Sequence, residues 1–338
     1  MRQTGRRKDE HLEICLHRAV GSGVPTGLEA VRFGHGALPE IDFDEVELST
    51  KVLGKRLRAP LLLGAMTGGS PRAARLNARL ARAAARLGLG MALGSQRAML
   101  EDPRLAAGYA VRDAAPELPL LVGNIGAVQL RRGVTGAQLA RAVRAVGADA
   151  LAFHLNPLQE ALQPEGDTCF RGVFEALRAA IPRVGVPCLV KETGAGISRV
   201  TARQLARLPL AGIETAGAGG TSWARVEAHR AAGTPAELAG ERLAGWGVPT
   251  AESIVHCRRA FGRRLVIGSG GIRTGRDVAA ALALGADVAA IAGPLLAAAA
   301  SSERELLRQL EAILLELRVI LFCTGRRRPA ELRRGVLR

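Results

Sequence analysis

The sequence predicts an α/β chain folded as a (β/α)8 TIM barrel, with an N-terminal arm and an extended loop after strand six. Three observations predict it. Eight short apolar runs alternate with eight helix-like segments. Polar residues gather at the C-terminal ends of those runs, with no comparable pattern at the opposite ends. The last two units each carry a glycine turn before a helix. A doubly wound open sheet is the alternative architecture, but it seldom runs to eight units in succession.

The elements follow in order. Residues 2–13 are charged throughout and read as a flexible arm, within a lead-in segment 1–56 that contributes to the active site. Strand one covers 61–65 and helix one 71–87, with Ser70 as N-cap and Pro71 at N1. Strand two (88–93) ends in Gly94-Ser-Gln-Arg97 and precedes a helix over 103–114. Strand three (120–124) precedes a helix over 135–146. Strand four (149–154) leads into a long loop, 156–171, and a helix ending near 180. Strand five covers 187–192, with a helix over 198–208, and strand six 212–215. Segment 217–250 interrupts the rhythm before a helix over 251–261. Strand seven (265–267) is β-branched and apolar, and Gly268, Gly270 and Gly271 permit a sharp turn close to a ligand. Thr274 caps the next helix, and strand eight (288–291) runs into Gly293-Pro294, which opens another. Residues 303–322 form an amphipathic helix. The barrel spans 57–325 and leaves 326–338 as a basic tail.

Composition narrows the function. The net charge is +16, carried almost wholly by arginine, since the only lysines are Lys8, Lys51, Lys55 and Lys191. Such a surface favours anionic partners. Aromatic residues make up only 3%, too few for platforms that stack single-stranded nucleic acid. The five cysteines are scattered without metal-ligand spacing, which points to a reducing cytoplasm and no disulfide framework. No apolar region follows the basic residues 1–9, so they are not a signal peptide. The apolar stretch 278–300 is broken by Asp287 and Gly293-Pro294 and reads as helix, strand and helix, not a membrane span. The expectation is a cytoplasmic enzyme for a small molecule, with neither a nucleic-acid nor a membrane partner.

Chemistry concentrates at the strand ends. His154-Leu-Asn-Pro-Leu-Gln-Glu160 sends three hydrogen-bonding side chains and a carboxylate from one strand, and Glu160 suits Mg2+. Lys191 ends a buried run and demands a partner there. A Schiff base, a phosphate contact, a cation beside an electron-rich cofactor ring, or a pair with Glu192 or Glu214 all satisfy it. Arg7-Lys8, with His11, is suited to clamp a diphosphate over the barrel mouth, and Ser95-Gln-Arg97 offers a second cationic contact. The glycines of Ala216-Gly-Ala-Gly-Gly-Thr-Ser222 allow close backbone approach, with Thr221 as a hydroxyl donor and Glu227 as a second carboxylate near the site. The two glycine turns, after strands seven and eight, form the usual phosphate site of such barrels.

Together these motifs resemble the type 2 isopentenyl-diphosphate delta-isomerase family. The resemblance runs from Arg7-Lys-Asp-Glu-His11 to Thr324-Gly325. It rests on Met66-Thr-Gly-Gly69, Gly94-Ser-Gln-Arg97, Gly123-Asn-Ile-Gly126, the strand-four motif, Gln163-Pro-Glu-Gly-Asp167 and Val190-Lys-Glu-Thr-Gly194. Gly217-Ala-Gly-Gly-Thr221, Trp246-Gly-Val-Pro-Thr250 and Ser269-Gly-Gly-Ile-Arg273 continue it, the last being common to many FMN barrels. The resemblance implies FMN, Mg2+ and NADPH, and interconversion of isopentenyl and dimethylallyl diphosphate without net redox change. It implies FMN against Ala65, Met66, Thr67, Gly68, Ser95, Asn124, Lys191 and Thr221, with the FMN phosphate at Gly271, Ile272, Arg273, Ala292 and Gly293. It implies substrate held by Arg7, Lys8, Ser95, Gln96, Arg97, His154, Asn156 and Gln159, and magnesium by Glu160. Reduced FMN, as acid and base at N5, would act with Gln159, which orients the allylic end. A homo-oligomer, tetramer or octamer, is also implied.

Three rivals are set against this reading. A 2-hydroxy-acid oxidase places a catalytic His before the glycine pair after strand six, where this chain has Ala218. An IMP-dehydrogenase-like enzyme needs a nucleophilic Cys in that loop, and 214–222 contains none. A basic nucleic-acid-binding protein requires steeply salt-dependent binding and no flavin colour.

Overall fold

The structure, a computed structural model, describes residues 3–334 and 336–337. It opens with helix α1 (Gln3–His17), followed by a short strand β1 (Arg32–Phe33) and a hairpin of β2 (Thr50–Val52) and β3 (Lys55–Leu57). The alternation then runs β4 (Leu61–Leu63), α2 (Pro71–Leu87), β5 (Gly90–Ala92), α3 (Arg97–Glu101), β6 (Leu120–Gly126), α4 (Gly136–Val146), β7 (Ala150–Leu155), α5 (Pro157–Leu162) and α6 (Val173–Ala180). It continues with β8 (Cys188–Glu192), α7 (Arg199–Leu205), β9 (Gly212–Glu214), α8 (Trp223–Arg230), α9 (Pro235–Arg242) and α10 (Thr250–Phe261). Last come β10 (Leu265–Ser269), α11 (Gly275–Leu284), β11 (Val288–Ile291), α12 (Gly293–Ser301), α13 (Glu303–Cys323) and β12 (Val336–Leu337). Strands β4 to β11 pair in sequence and β11 pairs with β4, closing an eight-stranded parallel barrel. The fold is the predicted (β/α)8 barrel.

Side-chain alternation along each strand divides the core in two. Leu61, Leu63, Met91, Leu121, Phe153, Val190 and Ile213 face the helices and are buried there. Leu62, Ala92, Leu120, Val122, Ala152, Leu189, Ile267 and Val288 fill the barrel interior with Val52 and Leu57, so the β2–β3 hairpin belongs to that inner core. Carried two residues further along the inward set, the same alternation reaches Asn124, His154, Lys191, Glu214 and Ser269. Ladder pairing sets His154 beside Lys191 and Lys191 beside Glu214. Predicted caps are present: Ser70 Oγ accepts from Ala73 N at 3.2 Å, and Thr274 Oγ1 from Asp277 N at 3.1 Å.

The structure corrects the sequence reading in four places. The arm is helical. Its charges are paired with the barrel rather than solvated: Ser70 Oγ donates to Asp9 Oδ1 at 2.5 Å, Arg230 Nε to Glu10 Oε2 at 3.2 Å, and Arg72 meets Glu13. Leu12 on α1 is buried. The expected loop 156–171 contains α5, because Pro157 at N1 starts a helix with its fixed φ. The expected helix over 103–114 is instead two 3-10 turns, Pro103–Tyr109 and Val111–Asp113. A Pro start and Gly108 make that stretch a weak α-helix former. The basic segment after 325 is packed at least through 333: Leu332 is fully buried, and Arg333 Nη2 donates to Asp287 Oδ1 at 2.6 Å.

Candidate active site

A cavity of about 290 Å3 opens at the C-terminal ends of the strands, under α1. Most of the predicted site residues line it. From the strand ends come Ala65, Met66, Thr67, Ser95, Asn124, His154, Asn156 and Lys191, and from α5 Gln159 and Glu160. Arg97, Thr221, Gly271, Ile272, Arg273, Ala292 and Gly293 also line it, and α1 contributes Arg7, Lys8 and His11. Two predicted residues are not there. Gln96 points into the protein, where its Oε1 accepts from Asn124 N at 2.9 Å and its Nε2 donates to Ala142 O at 3.4 Å. Gly68 lies against Tyr109, whose ring a Cβ at that position would strike. Both were read from their motifs, which do not reveal the side on which each residue falls.

The glycine turns suit a phosphate. Gly271 N and Ile272 N have no hydrogen-bond partner among the described residues, and a Cβ on Gly220 would sit on Gly271 N. The first N–H of α12, at Gly293, adds a second donor set with the favourable end of a helix dipole. Arg273 folds back instead: its N–H donates to Asp277 Oδ2 at 2.9 Å and its Nη1 to Gly271 O at 2.8 Å. The nearby cavity surface is small and apolar, with Gly64, Ala65, Ala290 and Ala292, which leaves room for a flat ring. These features fit FMN.

The strand-four motif is a rigid unit. Starting α5 at Pro157 puts Asn156, Gln159 and Glu160 within one turn. Asn156 Nδ2 donates to Gln159 Oε1 at 3.1 Å and Glu160 Oε1 at 2.9 Å. Asn156 Oδ1 is buried without a partner. Glu160 Oε2 accepts from Asp167 N at 2.6 Å. Gly166 permits that return of the chain, since a Cβ there would strike Glu160 O. A lone buried carboxylate beside an orphaned amide oxygen fits Mg2+, which takes one or two protein oxygens and fills its sphere from substrate and water. Among the described residues no group of three acidic, His or Cys side chains gathers to make a full metal cage.

Burial and charge set the protonation states. His154 Nδ1 lies 2.8 Å from Asn124 Oδ1, an acceptor, which assigns the proton to Nδ1. Burial, then Lys191 and Lys8, holds this imidazole neutral with a pKa of about 3. Lys8 Nζ donates to Ser95 O at 2.5 Å, and burial followed by the Arg7 charge pushes its ammonium down to about 7. Burial and the Arg97 charge lower Arg7 as well. Lys191 Nζ donates to Glu192 O at 2.5 Å and stands 3.8 Å from Glu214 Oε1. The pair with Glu214 expected as one possibility is therefore present, and Lys191 lines the cavity too. Burial pushes the Glu192 carboxyl up to about 7, opposed by N–H donors from Thr193, Gly194 and Ala195 at 2.5 Å each.

Glu227, expected near the site, is fully buried behind it. Gln159 Nε2 donates to Glu227 Oε1 at 2.9 Å, Arg230 Nη1 to Oε2 at 2.7 Å, and His11 Nε2 lies 2.9 Å from Oε1. Gln163, with its amide oriented to satisfy both ends, accepts from Arg7 Nη1 at 3.0 Å and donates to Glu227 Oε1 at 3.2 Å. Burial alone would raise this carboxyl, but His11, Gln159 and Arg230 prevail and hold it below its usual value. Glu227 thus joins α1, α5 and α8. The sequence reading assigned Gln163 and Arg230 no role. The one available signal for Arg230 was its i,i+3 spacing from Glu227.

Fold and site together define a (β/α)8 barrel enzyme of the FMN type, with a cation-rich mouth. A family of FMN-dependent dehydrogenases matches residues 197–338. Solved structures of similar fold include a lactate oxidase from Pediococcus acidilactici (TM-score 0.67, 16% identity, 97% of this chain and 86% of that one). A mandelate oxidase with (S)-2-phenylpropionate also superposes (TM-score 0.67, 20% identity, 99% and 96% coverage). Isopentenyl-diphosphate delta-isomerases match much more closely in sequence. That of a Synechococcus species is 48% identical over 98% of this chain and 96% of its own length. Those of Mycobacterium marinum and Deinococcus radiodurans are 49% and 48% identical, each over 97% of this chain and 95% and 96% of their own. The chain belongs to the isopentenyl-diphosphate delta-isomerase family.

Proposed function

We propose that this chain interconverts isopentenyl and dimethylallyl diphosphate, using reduced FMN, with Mg2+ on the diphosphate and NADPH only to reduce the flavin. One observation carries the reading: a single cavity joins unpartnered N–H groups at a glycine turn to the cations Arg7, Lys8 and Arg97. That is a place for two phosphorylated molecules at once.

FMN, when bound and reduced, supplies an electron-rich ring and acid–base chemistry at N5. Its phosphate would be held by Gly271, Ile272 and Gly293, and its ring by Ala65, Met66, Thr67, Asn124, Lys191 and Thr221. Glu160, with Asn156 Oδ1, would hold Mg2+, which neutralises charge on the diphosphate. Arg7, Lys8 and Arg97 bind the diphosphate, and Ser95 lies beside them. Neutral His154, with Nδ1 held by Asn124 Oδ1, keeps its Nε2 side available to the substrate. Gln159 is fixed at both ends, by Asn156 and Glu227, and orients the allylic end of the substrate. Leu12, Trp223 and Leu296 are cavity side chains suited to keep water from a cationic centre.

The test is to incubate isopentenyl diphosphate with the protein, FMN, Mg2+ and NADPH. Dimethylallyl diphosphate is the expected product. Flavin-loaded protein that leaves the substrate unchanged would overturn the reading.

A further inference from the structure

The chain has one tyrosine, Tyr109, and it is fully buried at the end of the first 3-10 turn that replaces the second barrel helix. Its hydroxyl donates to Ser95 O at 2.8 Å and accepts from Lys8 Nζ at 2.8 Å. Lys8 Nζ also donates to Ser95 O at 2.5 Å, and it stands 5.3 Å from the centre of the Tyr109 ring. Gly68 and Gly69 are shaped for this side chain: a Cβ on Gly68 would strike the ring, and one on Gly69 would lie 2.8 Å from the hydroxyl. The Thr67-Gly-Gly69 turn therefore makes room for a phenol that reaches Lys8.

An ammonium has three N–H donors. Among the described residues, Tyr109 and Ser95 take two of those on Lys8, which leaves one. We propose that Tyr109 is a positioning residue: its hydroxyl and the Ser95 carbonyl hold the Lys8 ammonium so that its third N–H serves a substrate diphosphate oxygen. The phenol ties α1 to the strand-two loop, so the lysine is set before the substrate arrives. Less side-chain freedom then has to be lost on binding. The inference rests on the reading of Lys8 as a diphosphate contact.

The test measures the binding of inorganic diphosphate to the FMN-loaded protein by calorimetry, together with steady-state kinetics on isopentenyl diphosphate. Tyr109→Phe keeps the ring and removes the hydroxyl. It is expected to weaken diphosphate binding about fivefold to tenfold. KM should rise similarly and kcat should change less, with FMN content unaltered. Lys8→Met should weaken binding, and adding Tyr109→Phe to it should weaken binding no further. If Lys8→Met weakens binding but Tyr109→Phe does not, or if the two losses add, the inference is overturned and the function above stands. If Lys8→Met binds diphosphate as tightly as the parent, the Lys8 reading fails and takes this inference with it. A second measurement leaves the fold untouched. With 3-fluorotyrosine in place of tyrosine the chain gives a single 19F resonance, expected to shift on adding diphosphate in the parent but not in Lys8→Met. An unmoved resonance in the parent also overturns the inference.

Discussion

Gln159 lies between Asn156 Nδ2 at 3.1 Å and Glu227 Oε1 at 2.9 Å, so its amide has one orientation. Gln159→Asn draws that amide back by one methylene and breaks the geometry without altering charge. The expected result is loss of turnover by at least about 100-fold with FMN still bound, since misplacement by about 1 Å costs that much; kcat and flavin absorbance measure it. Lys8 makes a second prediction. Its pKa is about 7 in the free cavity, against about 10.4 in an unfolded chain. A bound anion favours the ammonium, so diphosphate binding should take up a proton between about pH 7 and 10. Calorimetry at pH 8 in two buffers of different ionisation enthalpy reads that uptake, and none would contradict the charge change. Folding follows the same sign. The charged lysine is penalised by burial below about pH 7, and that penalty is relieved as pH rises towards 10. At this scale the sequence was readable where residue type and strand parity agreed, as at Asn124, His154 and Lys191. It misled where a motif carried one residue inward and the next outward, as at Ser95 and Gln96.

Among the elements, α5 and the returning loop show why motif spacing carries meaning. Gln163-Pro-Glu-Gly-Asp167 bends the chain so that Asp167 N reaches Glu160, and Gly166 alone fits against Glu160 O. Gly166→Ala should displace that loop at a cost of about 1–3 kcal/mol. The midpoint of urea unfolding should fall, and the Mg2+ concentration needed for half-maximal activity should rise. Unchanged values of both would show that the loop adapts freely. Helix α1 was the element least legible beforehand. Its run of charges resembles a solvated arm, and only the folded barrel supplies Ser70, Arg72 and Arg230 as partners. The helix over 103–114 failed for the opposite, local reason: its Pro start and Gly108 make the stretch a weak α-helix former, and two 3-10 turns form instead.

Across the whole molecule, eight apolar runs alternating with helix-like segments, together with the glycine turns, made the closed barrel legible, because eight such units have few other ways to bury both faces of each strand. What alternation and composition left open was the covering of the mouth. Helix α1, helix α5 after strand four and helix α8 meet there around Glu227, whose contacts with His11 and Gln159 are both remote in sequence. Under the proposed function, reduced flavin and a diphosphate share the cavity at the barrel mouth, and the reaction leaves the flavin as it began. The most direct test counts dimethylallyl diphosphate formed against NADPH oxidised, anaerobically, with Mg2+ and FMN-loaded protein. Many product molecules are expected for each NADPH consumed. One product per NADPH, or flavin reduction with no product at all, would contradict that function.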